Sequence, residues 1–373
     1  MDKYDVVIIG GGPAGATAGY LLAKNGFSTA IVDSMKFPRP KLCAGGITSK
    51  TKRVFEKIFD FKMEDLAVSD SDHVNFFFGG RRISSVDGIP LHFVDRGSFD
   101  HELIKRFVSV GGVLHENERV RRKDIGDDFL RLRSGEKIGF SVLIGADGAL
   151  SEVRKLMEPK YKPSGFCVEL EVPSKERLPK AVDLYLDTVK IGYLWDFPSK
   201  NGRCLGIGAD MSEAKMIKPK LIDFMKKHSC YDPAIKIKGA MIPFKEYVKV
   251  DNFKEKVLLI GDAGGLVDPV TGEGLYFAAC SGLFAFEAVR ACLRDGESLP
   301  QTYQGYVKYI HRIIDLMAFA RHKLYFPLIR KILLNTLGRQ NWFMRRSCNR
   351  ILDGFSFKGT ARSVEFLLKK HCR

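Results

Sequence analysis

Residues 5–33, DVVIIGGGPAGATAGYLLAKNGFSTAIVD, decide the fold class of this chain. The apolar run 6–9 breaks into a glycine-rich turn, an apolar-periodic segment continues to Lys24, and a second apolar run, 29–32, leads into Asp33. A buried strand, a tight turn, a helix and a second parallel strand ending in a carboxylate make one βαβ unit. The chain is therefore predicted to have an α/β fold built around this unit.

The glycines of this stretch fit a dinucleotide site. Gly10 permits the turn, Gly12 lets a pyrophosphate approach the backbone, and Gly15 lets the helix pack on the strand, while free helix N–H groups face the anion. Asp33 would hold a ribose hydroxyl. The alternative is a structural glycine turn in an ordinary α/β domain.

Composition and charge limit the possible functions. The 373 residues suffice for two or three domains or for one elaborated α/β body. The net charge of +16 is uneven, because residues 301–373 carry +12 and residues 1–300 only +4. No run of eighteen uncharged apolar residues is present, so no membrane-spanning helix is expected.

The eight cysteines form no CxxC pair and no His/Cys cluster at zinc spacing, so no metal site is predicted. The chain begins at a strand without a charged-then-apolar leader. We therefore expect a cytoplasmic protein whose cysteines are reduced thiols.

The long connection 34–46, which contains FPRPKLCAGG, is the next unusual segment. Loops of this length inside a compact domain are usually functional or disordered. Two prolines, then Cys43 followed by Ala44, Gly45 and Gly46, indicate a shaped backbone that passes close to a ligand. A surface turn carrying a small apolar side chain is an equally weighted alternative.

The remaining pattern alternates between helical and strand periodicity. A helix is expected near 49–59, antiparallel strands at 73–78, 81–86 and 91–94, and a helix from Asp95 to about Val110. Strands near 113–115, 129–133 and 140–144 return the chain to the main fold, and 164–210 has the strand period again. This interleaving argues against a separate N-terminal dinucleotide domain.

An aromatic stripe lies in the second strand region. Tyr193, Trp195 and Phe197 would share one face of a strand, because alternate residues point the same way. Such a stripe is more often core than binding wall.

A second strand, glycine turn and helix follow at 257–293. Gly272 and Gly274 would place bare backbone N–H groups at a helix N-terminus, whose positive end suits an anion. A reduced flavin is such an anion.

Three ordered motifs now resemble a known fold. They are GxGxxG at 10–15, GADGxxSxVR at 145–154, and GDA at 261–263 followed by GEG, and together they resemble the FAD-binding fold of p-hydroxybenzoate-hydroxylase-like flavoproteins. Within it, YxWxFPx7GxG, formed by Tyr193, Trp195, Phe197, Pro198, Gly206 and Gly208, is similar to the geranylgeranyl reductase pattern, as is the CxGG loop at Cys43. The resemblance covers residues 1–295.

The resemblance implies a fold and its division. An FAD-binding Rossmann-like three-layer domain (1–70, 95–160 and 250–298) is expected to interleave with an antiparallel-sheet substrate domain (71–94 and 161–249). A basic helical C-terminal region, 299–373, follows.

The resemblance also implies roles for individual residues. The ADP half of FAD would lie on Gly10, Gly12, Ala14, Gly15 and Asp33, with Arg96 over the ribityl and phosphate region and backbone of Val120 at the adenine. The flavin would contact Asp262, the N–H groups of Gly274 and Leu275, and the loop residues Ala44 and Gly46. The alternative for Asp262 is a helix cap or a turn carboxylate, and the alternative for Arg96 is a surface salt bridge.

The chemistry implied is reduction of an isolated prenyl double bond. No adjacent carbonyl spreads the developing charge, so the alkene must lie over flavin N5, water must be excluded, and a proton must be supplied. Tyr193, Trp195, Phe197, Pro198, Gly206 and Gly208 are the expected substrate-binding residues. Cys43 is the candidate catalytic residue, either as proton donor or only as part of the pocket wall; a free thiol, with a pKa of ~8.5, is protonated at neutral pH.

Two rival functions use related folds. A flavin monooxygenase or halogenase would stabilise an oxygen adduct, but related halogenases carry WxWxIP, whereas Tyr193 and Phe197 flank Trp195 here. A non-catalytic prenyl-binding protein of the Rab-escort type is disfavoured by the intact Asp33, Asp262 and GEG. The electron donor is left open between ferredoxin, NAD(P)H and quinol.

The basic tail predicts a surface partner. Its apolar and basic residues are interspersed. The apolar residues are Tyr325, Phe326, Leu328, Ile329, Ile332, Leu333, Leu334, Leu337, Trp342 and Phe343. The basic residues are Arg330, Lys331, Arg339, Arg345, Arg346 and Arg350. Cationic amphipathic helices with interfacial aromatics fit an anionic membrane, which would make the protein peripheral at the inner membrane face and supply a prenylated lipid substrate. A basic helical cap on the core is the alternative, and nucleic acid is disfavoured because no recognisable module accompanies the charge.

Overall fold

The computed structural model describes residues 1–173, 181–244, 247, 255–336, 340–352 and 358–372. Parts of the predicted second domain, of the third FAD-domain segment and of the tail, including Leu337 and Arg339, lie outside the described residues.

The first sheet has six strands, and its order confirms the βαβ prediction for residues 5–33. The strands are β1 (Lys3–Ile9), β2 (Thr29–Val32), β6 (Val113–His115), β7 (Phe129–Arg131), β8 (Lys137–Gly145) and β14 (Val257–Leu259). Strand β1 lies between β2 and β8. Next to β8 lies β14 and next to β2 lies β6, all parallel, and β7 pairs antiparallel with β8. The apolar run in β1 is buried on both faces, as in parallel sheets covered on both sides.

The second sheet has eight strands among the described residues. They are β3 (Gly46–Thr48), β4 (Ala67–Phe78), β5 (Arg81–Val94), β9 (Gly165–Pro173), β10 (Ala181–Tyr185), β11 (Gly192–Ser199), β12 (Gly202–Asp210) and β13 (Lys238–Ile242). Their order in the sheet is β13-β9-β12-β11-β10-β4-β5-β3. The sheet begins at Gly46, ahead of the residue where the second domain was expected to start. The domain limits stay a prediction.

Two details of this sheet differ from the expected pattern. The predicted strands 81–86 and 91–94 form one strand, β5, which passes through Gly88 at φ +71°. The sheet is not wholly antiparallel, because β10 pairs with β4 in parallel. Here the β4–β5 hairpin and the β10–β11–β12 meander lie side by side, and the adjoining strands β4 and β10 run in the same direction.

Nine helices are described. They are α1 (Pro13–Lys24), α2 (Ser49–Phe59), α3 (Arg96–Ser109), α4 (Ala214–Lys227), α5 (Leu275–Asp295), α6 (Leu299–Leu324), α7 (Pro327–Asn335), α8 (Asn341–Leu352) and α9 (Lys358–His371). Of the helices in the described ranges, α5 is the one long and apolar enough to cross a membrane, and it is buried in the core beside α1.

Helix α4 covers one face of the second sheet. Val168 and Leu170 of β9 and Leu205 and Ile207 of β12 form a core with the helix. Leu194 of the neighbouring strand β11 belongs to the same core. The alternate residues of these three strands, which on β11 form the aromatic stripe, therefore lie on the opposite face.

The basic tail divides between core and surface. Leu334 of α7 and Met344 and Cys348 of α8 are buried against strands β4 and β5. Arg330 is also buried, and its guanidinium donates to the carbonyls of Val189 and Lys190. Part of the segment expected to meet a membrane is therefore a cap on the second sheet.

Candidate functional site

The three glycine motifs meet at the carboxyl ends of three neighbouring strands. A Cβ on Gly10, at φ +102°, would lie 2.4 Å from the carbonyl oxygen of Ala146. One on Gly15 would lie 2.0 Å from the carbonyl oxygen of Gly10, and one on Gly261 2.9 Å from the Cβ of Ala14. Because real Cβ atoms do not approach this closely, the glycines are what allow the motifs to pack. Ligands bind at this edge in open α/β sheets.

The N-terminus of α1 offers unpaired donors to this edge. Gly12 is the N-cap and supplies no side chain, Pro13 begins the helix, and the first turn has no acidic residue. A Cβ on Gly12 would have only the Arg39 Nη2 nearby, at 3.9 Å, so the approach to the helix end is open. The site therefore suits an anion.

Asp33 is nearly buried and holds the turn from the side. Its Oδ2 accepts from the N–H of Gly11 at 2.8 Å and from Arg39 Nη2 at 3.2 Å, and its Oδ1 accepts from the N–H of Met35 at 3.0 Å. The carbonyl of Asp33 accepts from the N–H of Glu118, which brings the buried Val120 to the same edge. Ribose and adenine contacts at Asp33 and Val120 stay predictions.

Arg39 belongs to this site although the sequence did not identify it as a site residue. Its guanidinium lies between Asp33 and Asp100, the latter at 3.7 Å, and over the ring of Phe37. Its Nε is buried and has no hydrogen-bond partner among the described residues. An unpaired donor beside Gly12 is what a bound pyrophosphate would satisfy. The sequence signal that could have identified Arg39 as a site residue is its position between two prolines in the loop.

The Cys43 loop is pressed against the second sheet. Gly45, at φ +74°, accepts from the N–H of Val94 at 3.0 Å, and a Cβ there would lie 2.1 Å from the Val94 carbonyl oxygen. Cys43 Sγ accepts from the N–H of Gly45 at 3.4 Å. Ala44 is half-buried, and Gly46 begins β3 rather than continuing the loop.

Arg96 is a buried residue, not part of a surface salt bridge. Its Nε and Nη2 donate to the two carboxylate oxygens of Asp100, at 2.9 and 3.1 Å. Burial opposes its charge, but Asp100 and the neighbouring Cys43 side chain raise the pKa of the guanidinium above its ordinary value. Arg96 therefore remains charged beside Cys43. Contact with a cofactor stays a prediction.

The second glycine turn sets the N-terminus of α5. Gly274 is the N-cap without a side-chain cap, and a Cβ on it would lie 3.2 Å from Asp262 Oδ1. Leu275, the first helical residue, is buried. The open N–H groups and Asp262 lie together, as a flavin site would need.

Glu273 within this turn has a structural role. Its Oε1 accepts from the hydroxyls of Thr48 and Thr51, both at 2.9 Å, and its Oε2 lies 2.7 Å from Lys50 Nζ. These contacts fix the turn to the start of α2.

The aromatic stripe faces this turn rather than the core beneath α4. The hydroxyl of Tyr193 donates to the carbonyl of Thr271, and burial raises the pKa of Tyr193, which keeps the donor protonated. Trp195 is buried beside Tyr193 and Phe197, and Phe197 contacts Phe93. Pro198 follows Phe197 and is buried, but strand alternation places it on the other face of β11, away from the stripe.

Sheet register explains the two glycines that follow the stripe. Gly206 pairs with Trp195 and Gly208 with Tyr193. A Cβ on Gly206 would lie 2.2 Å from Cζ2 of Trp195, and one on Gly208 3.4 Å from its Cζ3. The glycines therefore leave room for the indole ring to lie across the sheet.

Three further side chains on this face were not identified from the sequence. Cys167, Glu169 and Cys204 lie across from Gly208, Gly206 and Phe197 respectively. Burial raises the pKa of Cys167 to about 12 and raises that of Cys204 as well, so both thiols stay protonated. Only the register of β12 against β11, and of β9 against β12, brings these residues to the stripe.

Known proteins with similar sequences bear related names. Residues 3–174 match the family model described as an FAD binding domain. An uncharacterized protein of Methanosarcina barkeri is 31% identical over 82% of this chain and 80% of its own length. Geranylgeranyl diphosphate reductase of Rhodobacter capsulatus is 29% identical over 87% of this chain and 85% of its own length. Digeranylgeranylglycerophospholipid reductase of Methanocaldococcus jannaschii is 28% identical over 82% of this chain and 81% of its own length.

Solved structures share the fold. A geranylgeranyl bacteriochlorophyll reductase-like protein from Thermoplasma acidophilum superposes with a TM-score of 0.77 at 20% identity, covering 98% of this chain and all of that one. PqsL of Pseudomonas aeruginosa, a probable FAD-dependent monooxygenase, gives 0.69 at 19% identity, covering 92% of this chain and all of its own. At these identities the likeness concerns the fold alone.

Proposed function

Since this chain belongs to the geranylgeranyl reductase family of FAD-dependent oxidoreductases, we propose that it saturates carbon–carbon double bonds in the prenyl chains of isoprenoid lipids. The substrate would be a lipid with a geranylgeranyl chain. A donor such as ferredoxin or NAD(P)H would reduce the enzyme between turnovers.

The cofactor is FAD, as the FAD binding domain and the flavoprotein relatives indicate. The cradle fits it: Gly12 and Arg39 would hold the pyrophosphate, Asp33 the ribose, and Asp262 with the Gly274 and Leu275 N–H groups the flavin edge. When reduced, FAD supplies a hydride at N5. These residue roles are part of the proposal.

The position of the aromatic stripe is the observation that supports the proposal most. Tyr193 is hydrogen-bonded to the turn that precedes α5, and Phe197 reaches Phe93 near the Cys43 loop. An apolar chain bound along Tyr193, Trp195 and Phe197 would therefore end near the flavin edge. The Cys43 loop adjoins Phe93 through Gly46, and its residues Ala44 and Gly46 would line the flavin.

This arrangement addresses the two difficulties of the reaction. The aromatic wall excludes water and orients an isolated alkene, which has no polar group for recognition. A thiol at Cys43 supplies the proton for the carbon next to the one that receives the hydride. Arg96, held by its two hydrogen bonds to Asp100, would keep its charged guanidinium beside the Cys43 thiol.

An anaerobic half-reaction tests the function. The FAD-loaded protein is reduced with dithionite, lipid bearing a geranylgeranyl chain is added, and flavin reoxidation is followed together with the product mass. We expect reoxidation with two hydrogens gained per saturated bond. If the flavin stays reduced until oxygen enters and an aromatic substrate is then hydroxylated or halogenated, the chain is a monooxygenase or halogenase instead.

A variant pair tests the binding wall. Trp195→Ala should raise KM for the lipid by about tenfold or more, because a buried aromatic side chain contributes ~2 kcal/mol or more of apolar contact. Tyr185→Ala is the matched control, since Tyr185 packs against Phe77 and Phe224 on the other face of the same sheet. Equal effects of the two variants would mean that the stripe does not bind substrate.

We further propose that the protein binds peripherally to the cytoplasmic face of an anionic membrane, from which the lipid enters. Large apolar side chains are exposed along α6, the following turn, α7 and α8: Leu316, Phe319, Phe326, Ile329, Ile332 and Trp342. Exposed basic residues accompany them, namely Lys323, Lys331, Arg345 and Arg346. Apolar side chains among cations suit an anionic lipid surface.

Vesicle flotation tests this docking. Phe319→Asp should reduce binding to anionic vesicles at low salt. Phe366→Asp is the control: both phenylalanines are 63% exposed, but Phe366 lies on α9. Wild-type protein that does not float with anionic vesicles, or equal losses in both variants, would contradict the proposed surface.

A further inference from the structure

We propose that Glu169 is the residue that returns a proton to Cys43 after each reduction, acting through Cys43 without touching the substrate. This inference rests on the proposed function, in which Cys43 protonates the alkene.

Sheet register and the Cys43 loop place Glu169 where such a role is possible. Glu169 lies on β9 directly across from Gly206, which in turn lies across from Trp195. The Cβ that Gly206 lacks would lie 2.9 Å from the Glu169 Cβ, so the carboxyl group and the indole share the space above this glycine. Only 7% of Glu169 is exposed, and the backbone N–H of Cys43 donates a hydrogen bond to its carboxyl group.

The surrounding charges leave this carboxyl group without an ion pair among the described residues. Arg96 is the cation with the largest effect on Glu169, and it is already bound by both oxygens of Asp100. The other charged or titratable groups that face Glu169 are Lys238 on β13, Glu171 and Cys167 on β9, Cys204 on β12 and Cys43 in the loop. A buried carboxyl group without a salt bridge is rare in proteins and is often functional.

The titration of Glu169 suits proton supply at neutral pH. Burial raises its pKa to about 7, although the Cys43 amide and Arg96 act in the opposite direction. An ordinary glutamate, with a pKa of ~4.3, would carry almost no proton at this pH. Glu169 is therefore protonated in a large fraction of molecules when the enzyme works.

The proton and electron balance is complete. The bound, reduced flavin would supply a hydride, which is two electrons and one proton, to one alkene carbon, and the Cys43 thiol gives a proton to the other. The Cys43 thiolate then takes the proton of the Glu169 carboxyl group, and the carboxylate is reprotonated from water. Without Glu169, the half-buried Cys43 thiolate would have to be reprotonated directly by water.

Alkylation of Cys43 tests the coupling without requiring turnover. Iodoacetamide labelling of FAD-loaded protein is followed at the Cys43 peptide by mass spectrometry from pH 6 to 9. Above pH ~7 the wild-type Glu169 carboxylate repels a thiolate, so Glu169→Gln should label about threefold to tenfold faster at pH 8. Glu171→Gln, which removes a carboxylate from the exposed end of the same strand face, should behave nearly as wild type.

Turnover tests the proton return. The first anaerobic turnover starts from a protonated Cys43, so Glu169→Gln should keep its rate, whereas later turnovers should slow by about tenfold to a hundredfold. The steady-state wild-type rate should fall as pH rises through about 7, where Glu169 loses its proton, and this limb should be absent in Glu169→Gln. Glu169→Asp, which keeps the carboxyl group, should restore both features in part and keep wild-type labelling.

The outcomes separate the two proposals. An unchanged labelling profile in Glu169→Gln, or equal slowing of first and later turnovers, overturns the role of Glu169. Failure of the wild type to reduce any prenyl lipid overturns the proposed function, and with it the role of Glu169 in returning a proton; the labelling profile then still reports whether the two residues are coupled.

Discussion

Replacing one glycine of α5 should loosen both the core and the cofactor site. Gly282 is buried where α5 crosses α1, and a Cβ on it would lie 2.8 Å from the carbonyl oxygen of Ala14 and 2.8 Å from the Cβ of Thr17. Alanine gains ~1 kcal/mol of helix propensity over glycine. The overpacking costs up to ~3 kcal/mol, because the backbone carbonyl cannot rotate away, so the net loss is about 2 kcal/mol.

The same substitution elsewhere in the chain gives the control. Gly305 lies in α6, and a Cβ on it would have no atom within 4 Å. Gly305→Ala should therefore stabilise the protein by ~0.5–1 kcal/mol through helix propensity. The two variants carry identical chemistry and are expected to change stability in opposite directions.

Urea unfolding of the apoprotein and flavin titration measure the effect. The midpoint should fall for Gly282→Ala and rise for Gly305→Ala. Because α1 and α5 carry the two open N-termini, separating them should also weaken FAD binding by about tenfold, which is ~1.4 kcal/mol. If Gly282→Ala is as stable as Gly305→Ala and binds FAD normally, the inference that α1 and α5 are in close contact at Gly282 is wrong.

Three other substitutions test separate features. Arg39→Ala should weaken FAD binding by about tenfold to a hundredfold in the same flavin titration, because hydrogen bonds to charged groups are worth ~1.5–3 kcal/mol. Lys41 is exposed in the same loop, so Lys41→Ala should leave the affinity unchanged. Cys43→Ala should retain the flavin spectrum and lose prenyl reduction, measured as flavin reoxidation; unchanged turnover would remove Cys43 from the chemistry. Burial disfavours the Glu287 carboxylate, but Arg290 and Lys370 lower its pKa below the usual 4.5. Its contribution to stability is therefore present at neutral pH and lost as the pH falls through that lowered value. Glu287→Gln should lower the thermal midpoint at pH 7, and its difference from wild type should shrink as the solution is acidified.

The sequence predicted much of the first sheet because its signals are local. The run 6–9, the glycine turn and the second run specify strand, turn and strand by their own sterics and burial, and helix 49–59 was predicted with the observed limits. The β4–β10 pairing was not predicted, since strands far apart in the chain carry no sign of their relative direction. Among individual residues, Arg39 and Glu169 were missed because their roles depend on partners from distant segments.

The amino-acid sequence by itself determined the βαβ unit, the glycine turns and the order of the three motifs. Gly10 is required by the conformation of its own backbone, at φ +102°, and such a local requirement can be recognised from the amino-acid sequence alone. Only the tertiary structure decided which face of the sheet the Tyr193 stripe occupies and that Glu169 accepts a hydrogen bond from the backbone of Cys43. It also decided that Leu334 packs against the second sheet while Phe319 stays exposed. Those facts depend on strand register and helix packing, which the free energy of the whole fold sets through contacts between residues far apart in the chain.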